Sequence, residues 1–158
     1  MIKTPKTEEQ ALLALTALCS QGEHCYREMQ EKMQRWGITE EAQTRILQYL
    51  EDERYIDEER FCRAFVHDKM EYNGWGKRKI EQALWLKGIP SAISSPVLNS
   101  IELDEWTRKL QPILKAKKRS IKADNEYEMN QKLARFALSR GFTFDVIRNC
   151  DIDCDEDE

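Results

Sequence analysis

Two histidines, five cysteines and several clusters of cations are the side chains through which this chain could do chemistry. None of the familiar catalytic patterns is present: no G-x-x-x-x-G-K-[ST] loop, no G-x-S-x-G elbow and no H-E-x-x-H pair. Gly74-Trp75-Gly76-Lys77 is faintly like a phosphate loop, but it lacks the preceding strand and the right spacing. His24 reads as a capping or packing residue rather than a base. Cys19, His24 and Cys25 match no standard zinc spacing and lack a fourth ligand. The cysteines at 19, 25, 62, 150 and 154 are odd in number and form no C-x-x-C pair, which fits reduced, buried thiols in a cytoplasm better than a disulfide framework. The expectation is a non-enzyme without metal or cofactor.

Binding is the chemistry that remains. Lys77, Arg78 and Lys79 open a helix after a glycine turn, beside Trp75, and so present charge and an aromatic face together. Cations at a helix start oppose the macrodipole, which favours a purpose beyond stability; the competing reading is a solvated helix end with Trp75 packed on a neighbour. Lys115, Lys117, Lys118, Arg119 and Lys122 form the densest basic run, suited to phosphate or to an acidic partner, or simply a solvated face. Arg60 and Arg63 either join such a surface or pair with Asp57 or Glu59 at helical spacing. Trp36, Trp85 and Trp106 read as core, as do Phe61, Phe65, Leu84 and Ile89.

The charge is also polarised along the chain. Residues 1–53 carry 6 basic and 10 acidic side chains, residues 54–103 carry 8 and 7, and residues 104–149 carry 11 and 6. Residues 150–158 add 6 acids and no base, and Asp151–Glu158 is an expected disordered tail that would shield the basic segment. A molecule of this kind docks through its basic end.

The elements that must position these residues are helical. Apolar side chains recur three and four apart, as in Leu12, Leu15 and Leu18. Thr7 with Gln10 fits a capping box, Thr39 precedes two glutamates, and Asp57 starts another acidic helix head. Gly37, Gly88 and Gly141, spaced 51 and then 53 residues apart, read as helix C-terminal caps. Each follows an apolar residue eight and four positions earlier and precedes an apolar residue and then Thr or Pro. The pattern predicts three helix–helix–turn–helix repeats, at 1–53, 54–103 and 104–150, stacked into an elongated, curved all-α array. Pro96 and Pro112 are expected to break or kink their helices. No signal peptide or membrane-spanning run is visible, so a cytoplasmic, monomeric protein is expected.

The most individual stretch runs Tyr55-Ile56-Asp57-Glu58-Glu59-Arg60-Phe61 and on through Gly74-Trp75-Gly76-Lys77-Arg78-Lys79-Ile80 to Lys87-Gly88-Ile89. It resembles the central repeat of RecX proteins, and Glu23-His24-Cys25-Tyr26-Arg27-Glu28-Met29 looks like that family's first-repeat turn. Cys25 stands where serine is usual, which weakens the expected cap; Lys77 replaces a common proline and Lys79 a common arginine. The resemblance covers about residues 8–150. It implies three tandem three-helix repeats and a modulator that lodges on the RecA–DNA filament, meeting single-stranded DNA at least through that filament. The partner- or DNA-binding candidates read from the residues themselves are the cations above together with Trp75 and Lys87. The competing function is a helix-turn-helix DNA-binding regulator, disfavoured by the net charge of −4 and by the lack of a helix rich in Arg, Asn and Gln.

Overall fold

Helix starts fall where the capping residues stand. The Thr7 hydroxyl accepts from the Gln10 amide at 3.2 Å and the Gln10 side chain accepts from the Thr7 amide at 3.0 Å, closing the predicted capping box. Thr39 caps with the Ala42 amide and Asp57 with the Arg60 amide. In the computed structural model, which describes residues 5–152, the described residues form α1 (Glu8–Gln21), α2 (Tyr26–Arg35), α3 (Glu40–Asp52), α4 (Glu58–Glu71), α5 (Lys77–Leu86), α6 (Ser91–Asn99), α7 (Leu103–Lys118), α8 (Glu126–Ser139) and α9 (Phe144–Asn149), with no strand among them. The expected disordered tail lies, from Asp153 onward, outside the described residues.

The three spaced glycines end α2, α5 and α8 in the same way. Gly37, Gly88 and Gly141 have φ of 73°, 79° and 95°, the left-handed region that an L side chain adopts only with strain. The amide after each donates to a carbonyl five residues back: Ile38 to Met33, Ile89 to Leu84, and Phe142 to Ala137. This is the double-bonded helix stop that tucks the next apolar residue inward. Ile38, Ile89 and Phe142 are accordingly buried, as are Met29, Met33, Ile80, Leu84, Leu133 and Ala137 eight and four residues before the glycines.

Substantial helix packing lies within triplets: α3 against α1 and α2; α4, α5 and α6 against one another; and α7, α8 and α9 likewise. The apolar interior is divided differently. One core joins α1–α3 with Ile56, whereas a second runs without a break through α4–α9 and also takes in Cys25. The central and third triplets thus share an interior, and the first is attached to it.

Two expectations are corrected. Both α6 and α7 continue through their prolines, Pro96 and Pro112, rather than breaking there. Each proline removes one amide donor, and the bonds and packing of the flanking turns hold the helix together; Leu110 and Leu114 on either side of Pro112 are buried. The tryptophans also part company: Trp106 is buried, Trp36 half-buried, and Trp85 is 69% exposed rather than core.

Candidate interface around the start and end of α5

Helix α5 carries the basic head and lies between its neighbours end to end. Its start docks on the turn between α8 and α9: the Gly76 amide donates to the Arg140 carbonyl at 2.7 Å and the Arg78 amide to the Gly141 carbonyl at 2.9 Å. The approach is so close that a Cβ on Gly76 would sit 2.3 Å from the Phe142 nitrogen. These amides are spent on carbonyls, so the glycine turn offers no cradle for a phosphate. The carbonyl end of α8 also compensates the cations at the head of α5, supplying a structural reason for a basic helix start.

The end of α5 receives the start of α2 in the equivalent way. The Cys25 thiol donates to the Lys87 carbonyl at 3.7 Å, and an Arg27 guanidinium N–H to the Leu86 carbonyl at 2.7 Å. Around these lie the Lys87–Glu28 ion pair at 3.3 Å, the Arg60–Glu23 pair at 2.6 Å, and the Tyr26 amide on Glu58 at 2.6 Å. Glu28 also accepts from the Cys25 amide at 3.0 Å, which maintains the helix-start box although serine is absent. Burial alone pushes the Glu28 carboxyl up, but the Cys25 amide and the Lys87 ammonium outweigh it and hold the group below its ordinary value. Burial raises Glu58, and nearby carboxylates add to it. The Cys25 thiol is pushed up by burial to about 11, which makes it a packing group and not a nucleophile. Among the described residues no set of three or more His, Cys, Asp or Glu side chains is arranged to hold a metal.

The predicted interface residues separate into engaged and open ones. Arg60 binds Glu23 and the Arg54 and Tyr55 carbonyls, not Asp57 or Glu59; Arg63 does pair with Glu59, at 2.9 Å. Lys87 is held by Glu28, and Lys77 donates to the Asn99 side chain at 2.7 Å. Trp75 is half-buried with Lys69 and Lys79 over its ring at 4.9 and 4.8 Å. Arg78 keeps an exposed side chain. In the second basic run, Lys117 lies over Phe136 at 4.8 Å, while Lys115, Lys118, Arg119 and Lys122 are exposed. Their place at the end of α7 suits the helix dipole, so part of that run has a stabilising role. The structure therefore groups Trp75, Lys79 and Arg78 around the start of α5 and leaves the α7 run on another helix.

Two residues that belong to this region escaped sequence reasoning. Trp85 and Leu86 are 69% and 68% exposed at the end of α5. The signal was in the repeat: 51 residues earlier the same helix positions hold Gln34 and Arg35, both exposed and polar. Arg27, likewise, stands 51 residues before Arg78 and marks a shared position at the start of its helix.

Comparison with known proteins agrees with this architecture. Residues 57–98 match the family model for the second three-helix domain of RecX, and residues 104–150 that for the third. The regulatory protein RecX of Halorhodospira halophila is 30% identical over 146 residues, covering 92% of this chain and 88% of the relative. That of Clostridium botulinum (strain Eklund 17B / Type B) is 26% identical over 125 residues, and the chain spans 58% of its length. Two solved structures share the fold: a regulatory protein RecX, with TM-score 0.83, 18% identity and coverage of 92% of this chain and 73% of that one; and RecX from Lactobacillus salivarius, with TM-score 0.80, 20% identity and coverage of 90% and 93%.

Proposed function

The chain belongs to the RecX family, and from that premise we propose that it binds the RecA–DNA filament in the cytoplasm, as a monomer, and restrains filament growth and ATP hydrolysis. The observation that carries the reading is the match of two successive three-helix domains in order, on a chain whose helix triplets stack in series. A serial array suits a filament because several modest contacts spread over neighbouring protomers add through effective concentration. The units bounded at 1–53, 54–103 and 104–150 are the pieces that would make those contacts. Arg78, Lys79 and Trp75 at the head of α5, and the exposed cations at the end of α7, are the candidate contact residues. Arg60 and Lys87 are held by carboxylates of the first triplet, Lys77 by Asn99 of its own triplet and Arg63 by Glu59 of its own helix.

A helix-turn-helix reading fares worse on one specific ground. The helix after the turn in the central triplet, α6, which such a protein would lay in the groove, carries no Lys or Arg and a single Asn.

The test is DNA-stimulated ATP hydrolysis by the cognate RecA, titrated with this protein. Inhibition at far fewer regulators than protomers supports the proposal. Unchanged hydrolysis together with no co-sedimentation on filaments would overturn it.

A further inference from the structure

The end of α5 has an exposed apolar surface that neither the fold nor the cation clusters explain. Trp85 and Leu86 project into solvent where the first triplet has Gln34 and Arg35. In the third triplet the equivalent positions hold Leu138, half-buried against the core, and exposed Ser139. The helix position itself therefore does not call for apolar side chains, and leaving both in water is unfavourable.

Trp85 forms a ridge between two clefts. One, of about 420 Å³, is lined by Arg78, Gln82, Ile89 and Ser94 among others. The second, of about 280 Å³, is lined by Arg27, Trp85, Leu86, Gly88, Ile89 and Pro90. Among the described residues that line it, the side chains are apolar apart from Arg27, the one charged group there. Arg27 spends one N–H on the Leu86 carbonyl and has no carboxylate ion-pair partner among the described residues. A guanidinium carries five N–H donors, so most of its capacity is unused.

We infer that this cleft docks a protein segment that places a bulky apolar side chain between Trp85, Leu86 and Pro90 and a carboxylate on Arg27. The chemistry selects this occupant over a nucleic-acid strand. Trp85 is the single stacking face in this cleft, Leu86 and Pro90 beside it offer none for a following base, and the one cation lining it cannot follow a row of phosphates. An aromatic anchor beside an arginine is the composition in which protein-binding energy concentrates.

The inference rests on the filament-regulator reading, and its test separates the two. Trp85→Gln with Leu86→Ser installs side chains that the other triplets carry at these positions, so the fold should hold and the melting temperature should stay unchanged. Binding of the full chain to preformed RecA filaments, and separately to bare oligothymidylate, is measured by fluorescence anisotropy. The expected result is at least about a ten-fold loss of filament affinity with oligothymidylate binding unaltered. Arg27→Gln should lower filament affinity several-fold, whereas Arg27→Lys should retain most of it. Unchanged filament affinity in the double variant overturns the docking site and leaves the proposed function standing. A parallel loss on oligothymidylate overturns the protein occupant in favour of a nucleic acid. Wild-type protein that fails to bind filaments at all overturns the proposed function and this site with it.

Discussion

The two junctions of the array solve one geometric problem by different chemistry. Each sets the start of a middle helix against the carbonyl end of the next: α5 on the α8–α9 turn, and α2 on the α5–α6 turn. At the first, backbone touches backbone, because Gly76 has no side chain to hold the chains apart. At the second, Cys25 occupies the matching position, 51 residues earlier, and its buried thiol reaches the matching carbonyl. The stand-off is then filled by ion pairs, Glu28–Lys87 and Arg60–Glu23. One junction is closed by contact and leaves a continuous core; the other is bridged by side chains between two cores. A junction made of partly exposed charges is weaker and sensitive to solvent conditions, whereas one of buried backbone bonds is not.

Exchanging the key residues should break this contrast most visibly. Gly76→Cys forces a Cβ into the Phe142 amide and disrupts both backbone bonds, for a destabilisation of about 3–5 kcal/mol. Thermal unfolding should register it as a melting temperature lower by roughly 2–4 °C per kcal/mol in a chain of this size. Cys25→Gly is the milder half of the exchange, at about 1–2 kcal/mol, since it removes one buried thiol at a helix start that tolerates glycine. Equal losses in the two variants would show that the junctions do not differ.

Two titrations sharpen the comparison. Glu28 is held below its ordinary value of 4.5 when folded, so its contribution is complete above that value and is lost as pH falls through the lower, folded one. Glu28→Gln, which can still close the helix-start box, should therefore cost less than about 1 kcal/mol at neutral pH, and the difference should vanish in acid. Denaturant unfolding at two pH values measures it. Glu58 behaves in the opposite sense: its raised folded value means that ionisation disfavours the folded state. Glu58→Gln should be the more stable protein at neutral pH, with the gain shrinking as pH falls toward 4.5. A gain that grows on acidification would contradict the assignment.

Most of the fold was legible because its signals are local. A glycine that must take positive φ, an apolar residue eight and four positions before it, and Thr or Asp at a helix start are each readable within a dozen residues. The interface was less so, because its state depends on contacts across triplets. Nothing near Arg60 in sequence says that Glu23, 37 residues away, will hold it. A tryptophan suggests core, whereas the exposed polar Gln34 at the equivalent position of the first repeat points Trp85 toward solvent. A proline in sequence signals a break, but the packing that sustains α6 and α7 through the missing bond is tertiary.

The carbonyl that receives each neighbour occurs a third time, at Trp36, equivalent to Lys87 and Arg140. There it accepts the Lys6 amide at 3.2 Å, while the Lys6 ammonium lies over the Trp36 ring at 5.2 Å. At the far end, α8 begins with its own cap, the Asn125 side chain accepting from the Glu128 amide at 2.8 Å. An array with an empty socket at one end and an uncapped helix start at the other would be a monomer in the polymer sense, adding copies of itself head to tail in a contact that never closes. In the described residues Lys6 fills the Trp36 position and Asn125 caps the start of α8, so both of these backbone positions are occupied from within the chain.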